Sequence, residues 1–244
     1  MVGQRRLIEE HEWDNLIILD ACRFDFFFSE YSAYLSGVLR EVTSPASCTI
    51  EWSKKVWTDK YDLTYISGWP CANSKGIPRM GYRATDHFPE IIDVWKHGWD
   101  DSLGTIPPWS INKAVREHPK RRDFVIHYMQ PHDPYIGKTK LHVSIGPPNV
   151  TRESMADPGR GGGFYRTSRQ IDSLARSKGI GYLKQAYCDN LRLVLEHVSE
   201  LISYLDGVTV VTADHGELLR PEGPAHPCGS NDPTLRQVPW FVVE

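Results

Sequence analysis

The feature that most constrains this chain is the segment Asn15-Leu16-Ile17-Ile18-Leu19, which becomes wholly apolar and then stops abruptly at Asp20. A strand with one wet face alternates apolar and polar residues, whereas an unbroken apolar run needs cover on both faces. Runs of this kind recur at Leu63–Ser67, Phe124–Tyr128, Val208–Thr212 and Pro239–Val243. Helical patterns fall between them, at Glu51–Trp57, Phe88–Lys96, Ser110–Glu117 and Gly181–Leu205. The last is the clearest, with Leu183, Tyr187, Leu191, Leu195, Val198, Ile202 and Leu205 recurring at three and four residues. Strands alternating with helices predict an α/β protein, a three-layer αβα sandwich whose central sheet is mostly parallel and joined by right-handed crossovers.

A chain of 244 residues can form one domain with a sizeable core, so a single domain over residues 1–244 is expected. The stretch Gly137–Ser177 stands apart, with Gly146-Pro147-Pro148, a glycine-rich run from Gly159 to Gly163 and few periodic apolar positions. It reads as a flexible loop insertion. A phosphate-cradling P-loop is disfavoured there, because no strand precedes the glycines and no Gly-Lys-Ser/Thr follows them. No G-x-G-x-x-G follows the first strand either, which sets aside a dinucleotide binder.

A net charge of −3 carries no footprint for nucleic acid, and no window approaches the ~18 apolar residues of a membrane span. The five cysteines, Cys22, Cys48, Cys71, Cys188 and Cys228, are scattered and odd in number. That pattern argues for reduced thiols and, with no apolar leader in the first residues, for a cytoplasmic location.

In sheets of this class, ligands gather at the carboxyl ends of the strands. Here those ends carry Asp20, Ser67-Gly68, the His132-Asp133 pair after the third run, and Asp214-His215. A carboxylate placed straight after an apolar run is costly to desolvate unless something pairs with it. A divalent cation shared by Asp20, Asp214 and His215 is the economical explanation, with Gly216 permitting a sharp turn between ligands. The bland reading of an isolated Asp-His pair is a helix cap beside a packed histidine. Finding Asp20 at an equivalent strand end shifts the balance to metal. His127, inside a strand, reads as a core histidine.

Four segments then match one family in order. Asp20-Ala21-Cys22-Arg23-Phe24-Asp25 resembles the D-x-x-R-x-D opening of sulfatase-like members of the alkaline phosphatase superfamily. Pro131-His132-Asp133-Pro134-Tyr135 resembles their PH-x-PY segment, Thr212–Glu217 their (S/T)-x-DHGE motif, and Arg236–Trp240 their R-x-VP strand. Together these span residues 15–243. The resemblance implies an alkaline-phosphatase-like fold and a nucleophile at a helix N-terminus soon after the first Asp. Thr49 aligns best with the threonine used by phosphodiesterase-like branches, followed by Ser47 and then Cys48; the alternative for Thr49 is a plain cap.

It further implies that Thr49 joins Asp20, Asp214 and His215 as a metal ligand. His132 and His226 would contact the substrate anion or protonate the leaving group. Two carboxylates, an imidazole and a hydroxyl suit Mn²⁺ or Zn²⁺, with Mg²⁺ or Ca²⁺ as alternatives. A second cation would draw on His132, Asp133 and His226, but the family's D-x-x-x-H spacing is missing, so one cation is expected. Arg23 either neutralises substrate charge or pins the loop through Asp25; Ser47 and Trp69 are further candidates to touch substrate.

The implied activity is metal-dependent hydrolysis or transfer of phosphate mono- or diesters, on a small molecule or a glycan or lipid. One alternative is a sulfatase, although Cys48 is followed by Thr49-Ile50-Glu51-Trp52 and lacks the C-x-P-x-R context for formylglycine. The other is a catalytically silent metal-binding protein.

Overall fold

The computed structural model describes residues 2–70, 72–75, 81–141 and 171–244. Ten strands are described: β1 Val2–Gly3, β2 Asn15–Leu19, β3 Gly37–Thr43, β4 Thr64–Ser67, β5 Glu90–Asp93, β6 Phe124–Tyr128, β7 Thr209–Ala213, β8 Leu218–Arg220, β9 Gly223–Ala225 and β10 Gln237–Val243. The helices are α1 Gln4–Glu10, α2 Phe24–Glu30, α3 Thr49–Val56, α4 Val94–His97, α5 Pro108–Glu117, α6 Ile180–Ile202 and α7 Pro233–Arg236.

Eight strands form one sheet in the order β1-β3-β10-β7-β2-β6-β4-β5, and β8 and β9 make a separate hairpin. In the large sheet β10 alone runs against its neighbours β3 and β7; the other described pairings of that sheet are parallel. Every residue of β2, β4, β6 and β7 is buried, as their unbroken apolar runs require.

The crossovers fix the layers. The steps from β1 to β2 and from β3 to β4 move toward the β5 edge and carry α1 and α3. The steps from β2 to β3, β5 to β6 and β6 to β7 move the other way and carry α2, α5 and α6. Right-handed connections that travel in opposite directions place their helices on opposite faces. α1 packs on α3, while α6 packs on α2 and α5. The expected αβα sandwich with a mostly parallel sheet is therefore the observed fold.

Two local expectations change. Phe88–Lys96 is not one helix: Glu90–Asp93 is an edge strand paired with β4, and only Val94–His97 is helical. The β-branched pair Ile91-Ile92 suits a strand, and short apolar runs do not distinguish the two periods. Within Gly137–Ser177, Leu141 pairs with Tyr135 in an antiparallel bridge and residues 171–177 are helical, while 142–170 lie outside the described residues. Tyr135, Leu141, Ile171, Leu183 and Tyr187 pack together as a second apolar cluster.

Candidate metal centre

The parallel strands β2, β6 and β7 end side by side, and the chain turns at each end. After β2 the turn falls on Ala21, a non-glycine residue held at φ 59°. Three bonds hold it there. The Ala21 amide donates to Asp214 Oδ1 at 3.0 Å, Tyr187 Oη donates to the Ala21 carbonyl at 2.6 Å, and the Arg23 amide donates to Tyr187 Oη at 2.9 Å. After β7, the His215 amide donates to the same Asp214 Oδ1 at 2.9 Å. One carboxylate oxygen thus organises both turns, and Asp214 Oδ2 is left over.

Gly216 has a different reason from the one its sequence context suggested. It is not among the left-handed residues. Instead, a Cβ there would run into the Thr234 carbonyl oxygen, because the Gly216 amide donates to the Leu235 carbonyl at 2.8 Å and seats the turn against α7.

The leftover oxygens converge. Asp20 Oδ1 and Asp214 Oδ2 are buried with no hydrogen-bond partner in the structure. His215 Nε2 lies 3.7 Å from the first and 3.3 Å from the second. The His215 ring is oriented by Nδ1, which lies 2.8 Å from the Gly216 carbonyl and therefore donates to it. That tautomer leaves Nε2 with its lone pair facing the two carboxylates. Ligand atoms of Asp20, Asp214 and His215 all lie within 4.8 Å of one another. Orphaned buried carboxylate oxygens are expensive unless a cation meets them, so these residues fit a divalent metal.

Thr49, the first residue of α3, completes this group, with Oγ1 3.1 Å from His215 Nε2. In the metal-free protein Thr49 donates that bond, since Nε2 has no hydrogen of its own. The α3 N-terminus is fixed by Gln4, which sequence reasoning overlooked. Fully buried, Gln4 Nε2 donates to the Ala213 carbonyl at 2.6 Å and to Thr212 Oγ1 at 2.8 Å, and its Oε1 accepts from Trp52 Nε1 at 2.8 Å.

A second group adjoins the first. His132, Glu217 and His226 also bring ligand atoms within 4.8 Å of one another. The His226 ring centroid is 4.6 Å from that of His215 and 4.9 Å from that of His132. His226 Nδ1 meets both oxygens of the buried Glu217 carboxylate at 3.1 and 3.2 Å. Glu217, not Asp133, is the acid here, and the only sequence signal for it was its place three residues after Asp214. Asp133 instead contacts His132 Nδ1, through its carbonyl at 2.6 Å and its carboxylate at 3.1 Å.

The two groups differ electrically. Burial, then the Asp214 charge, raises Asp20 well above the usual carboxylate range. Burial and the nearby His226 hold His215 neutral. In the second group burial pulls His226 down, but Glu217 overrides it and raises the imidazole; burial pushes Glu217 up, and His226 brings it below its usual value. Burial likewise opposes the charge on His132, yet Asp133 and Glu217 raise it overall. The first group thus fits a cation, and in the second the neighbouring carboxylates strengthen the imidazoles' hold on a proton.

The remaining candidates are committed elsewhere. Arg23 pairs in two-pronged fashion with Asp25 at 2.9 and 2.6 Å and reaches the Glu217 carbonyl at 3.4 Å. Ser47 Oγ donates to the Pro227 carbonyl at 2.8 Å. The Trp69 ring lies 6.1 Å from that of His127. His127 is a core residue, as expected, yet its Nε2 has no partner and sits 3.9 Å from Asp20 Oδ2, while Tyr65 Oη holds its Nδ1 at 2.7 Å. Burial drops its pKa to about 4, so it is neutral.

No protein-family model matches the sequence, and neither does any curated protein. Solved structures do. The soluble domain of lipooligosaccharide phosphoethanolamine transferase A from Neisseria meningitidis superposes with a TM-score of 0.52 at 13% identity, over 93% of this chain and 75% of that one. A Bacteroides thetaiotaomicron protein assigned as a sulfatase gives 0.54 at 11% identity, over 96% of this chain and 64% of that one. The chain shares the fold of these structures, an alkaline-phosphatase-like αβα sandwich. The C-terminal periplasmic domain of EcEptC from Escherichia coli, in complex with Zn, gives 0.51 at 12% identity, covering 96% of this chain and 73% of that one. Against the whole integral membrane transferase from N. meningitidis, the chain spans 47% of the length.

These neighbours correct the cytoplasmic expectation, since they include a periplasmic domain. The thiols correct it too: Cys48 and Cys228 form a disulfide across 180 residues, the bond of an oxidising compartment. Scattered positions hid the pair because the fold, not local spacing, brings them together. Among the described residues, Cys22 and Cys188 are free.

Proposed function

We propose that this chain is a metal-dependent enzyme that cleaves or transfers phosphate mono- or diesters, with Thr49 as the nucleophile. The observation that carries this reading is the convergence of Thr49 Oγ1, His215 Nε2 and two orphaned carboxylate oxygens at one buried point. Asp20, Asp214, His215 and Thr49 would hold one divalent cation, Zn²⁺ or Mn²⁺ by donor chemistry; the Zn complex of a structural neighbour supports the choice. When bound, the cation supplies Lewis-acid polarisation and eases ionisation of the hydroxyl.

The protein's own groups do the rest. Thr49 Oγ1 releases its proton to solvent and bonds to phosphorus, and the bond from phosphorus to the ester oxygen breaks on the far side, that oxygen leaving with a proton from His226 or His132. Water or an acceptor hydroxyl then takes the phosphoryl group from Thr49. Amides at the start of α3, which lack intrahelical partners, would be available to the same oxygens. Glu217 would favour the protonated form of His226 for this task. The name of one neighbour, a lipooligosaccharide phosphoethanolamine transferase, makes phosphoethanolamine esters and lipooligosaccharide the first natural substrates to assay.

Sulfate-ester cleavage through Cys48 is disfavoured by the disulfide, because a sulfur bonded to Cys228 is not free for conversion to formylglycine. The test is turnover of bis(p-nitrophenyl) phosphate and p-nitrophenyl phosphate by wild type and Thr49→Ala, with metal content measured in both. Expected is loss of at least ~10³-fold in kcat for the variant with cation still bound. Unchanged turnover removes Thr49 from its role, and a metal-loaded wild type inert toward a broad ester panel favours a silent binding protein.

A further inference from the structure

The Cys48–Cys228 bond joins the chain immediately before Thr49 to the chain two residues after His226, with Cα atoms 5.1 Å apart. Hydrogen bonds follow the same seam. Ser47 Oγ donates to the Pro227 carbonyl at 2.8 Å and accepts from the Ser230 amide at 2.9 Å, while the Gly229 amide donates to Glu51 Oε2 at 3.0 Å. Residues 227–230 are thereby stitched to the first turn of α3.

His226 depends on that seam more than its neighbours do. Asp20 and Asp214 follow central strands of the main sheet, and His215 sits beside them. His226 follows β9, in a two-stranded hairpin outside that sheet. One flank of His226 is therefore a small hairpin, and the other is the cross-linked turn. Cys48 is 4% exposed, whereas Cys228 lies in an exposed turn that a reductant can approach.

We infer that the Cys48–Cys228 disulfide is a positioning element of the centre, holding His226 against Glu217 and beside Thr49, and that its reduction disengages His226 while the Asp20–Asp214–His215 group stays assembled. This rests on the reading of Thr49 and His226 under the proposed function. The redox step balances with a dithiol: one thiolate attacks a sulfur of the bridge, the second displaces it, and two electrons pass to the cysteines, giving two protein thiols and a cyclic disulfide. With a trialkylphosphine, phosphorus is oxidised to the phosphine oxide with oxygen from water, again leaving two thiols. Activity is thereby tied to an oxidising compartment.

The experiment compares oxidised protein, phosphine-reduced protein and the double variant Cys48→Ser/Cys228→Ser, with thiol titration to confirm each state. Turnover of bis(p-nitrophenyl) phosphate, Zn²⁺ stoichiometry by calorimetry and hydrogen exchange of peptides covering 223–232 are read in parallel. The expected result is a tenfold or greater fall in kcat/KM in the reduced and double-serine forms, with recovery when the reduced protein is reoxidised. Exchange at Gly229 and Ser230 should accelerate, and one Zn²⁺ should remain bound. In His226→Gln, reduction should change kcat/KM less than twofold, because the group it positions is already gone.

Full reduction with unchanged kcat/KM and unchanged exchange overturns the inference. So does reduction that releases the Zn²⁺ or unfolds the chain, which makes the bond a staple of the whole fold. Should oxidised wild type show no turnover, the Thr49 reading fails. The positioning claim is then judged by exchange alone, and protection that survives reduction overturns it.

Discussion

Gln4 offers the most direct check on how the centre is held. Replacing it with Met keeps the volume close and deletes both polar ends, so packing changes little. What remains is the buried Trp52 indole N–H with no acceptor, and an Ala213 carbonyl stripped of its side-chain donor. Thr212 Oγ1 is spared, because it still donates to the Pro239 carbonyl at 2.6 Å. A buried polar group left unpaired costs about 1–3 kcal/mol, and the carbonyl sits in a strand where ladder bonding softens its loss. The prediction is a destabilisation of about 2–4 kcal/mol. At roughly 2–4 °C per kcal/mol for a chain of this size, the melting temperature should fall by about 4–16 °C. Urea titration should move the midpoint without altering the slope. Trp52 lies three residues beyond Thr49, so kcat should fall too while the cation stays bound. A shift below about 0.5 kcal/mol, within the range of ordinary surface substitutions, would show that Gln4 does not tie α3 to β7 and refute this reasoning.

Three more predictions address the same centre. Tyr187→Phe removes the donor to the Ala21 carbonyl and the acceptor of the Arg23 amide; calorimetry should show cation affinity down by about 10–100-fold, since the turn carrying Asp20 loosens, and unchanged affinity would refute it. Gly216→Ala forces a Cβ against the Thr234 carbonyl and should cost about 1–3 kcal/mol in denaturant titration, with no loss if α7 can simply step aside. Removal of the cation should be felt more as pH rises. Asp20 is a carboxyl raised by burial, so the folded metal-free protein holds a proton that the unfolded chain releases, and stability declines as pH climbs from the ordinary carboxylate range toward the raised value. His226 adds to this from higher pH: raised by Glu217 against burial, its contribution is full below the ordinary histidine range and is lost through its raised value. Chelation should therefore lower the melting temperature more at pH 8 than at pH 5, and an equal drop at both would contradict the assignment.

Much of this was legible in the sequence because the constraint behind it is local. A buried parallel strand must be apolar along its whole length, so Leu16–Leu19 and Phe124–Tyr128 announce themselves, and an Asp at the end of such a run has few bland explanations. Asp20, Thr49, Asp214 and His215 were named that way, or from motifs, and the fold brings them together. The edge elements were harder. β3 is only partly buried except at Val42 and contains Arg40 and Glu41, and β5 borrows its identity from pairing with β4. Such strands are strands because a neighbour supplies the ladder, which no window of sequence records.

What the sequence concealed about the centre is of the same kind, and it bears on what the centre is. Gln4, Tyr187 and the Cys48–Cys228 pair act across 48, 166 and 180 residues respectively. Each is an ordinary residue whose importance lies wholly in its partner. The ligands themselves need no such reach, because adjacent strand ends deliver them in register: Leu19 lies beside both Tyr128 and Ala213. The first group is thus a product of the sheet, fixed wherever the sheet forms. The second group is not, since Glu217 and His226 flank a hairpin outside the sheet, which is held by its packing on α6 and by the seam with α3. Under the proposed function, a cation site on the sheet next to a histidine on a separate hairpin would divide two demands. Activating Thr49 would need fixed geometry, whereas the leaving groups to be protonated would differ from ester to ester. Variation in substrate among proteins of this fold is therefore expected to fall on the hairpin, and variation in the cation on the sheet.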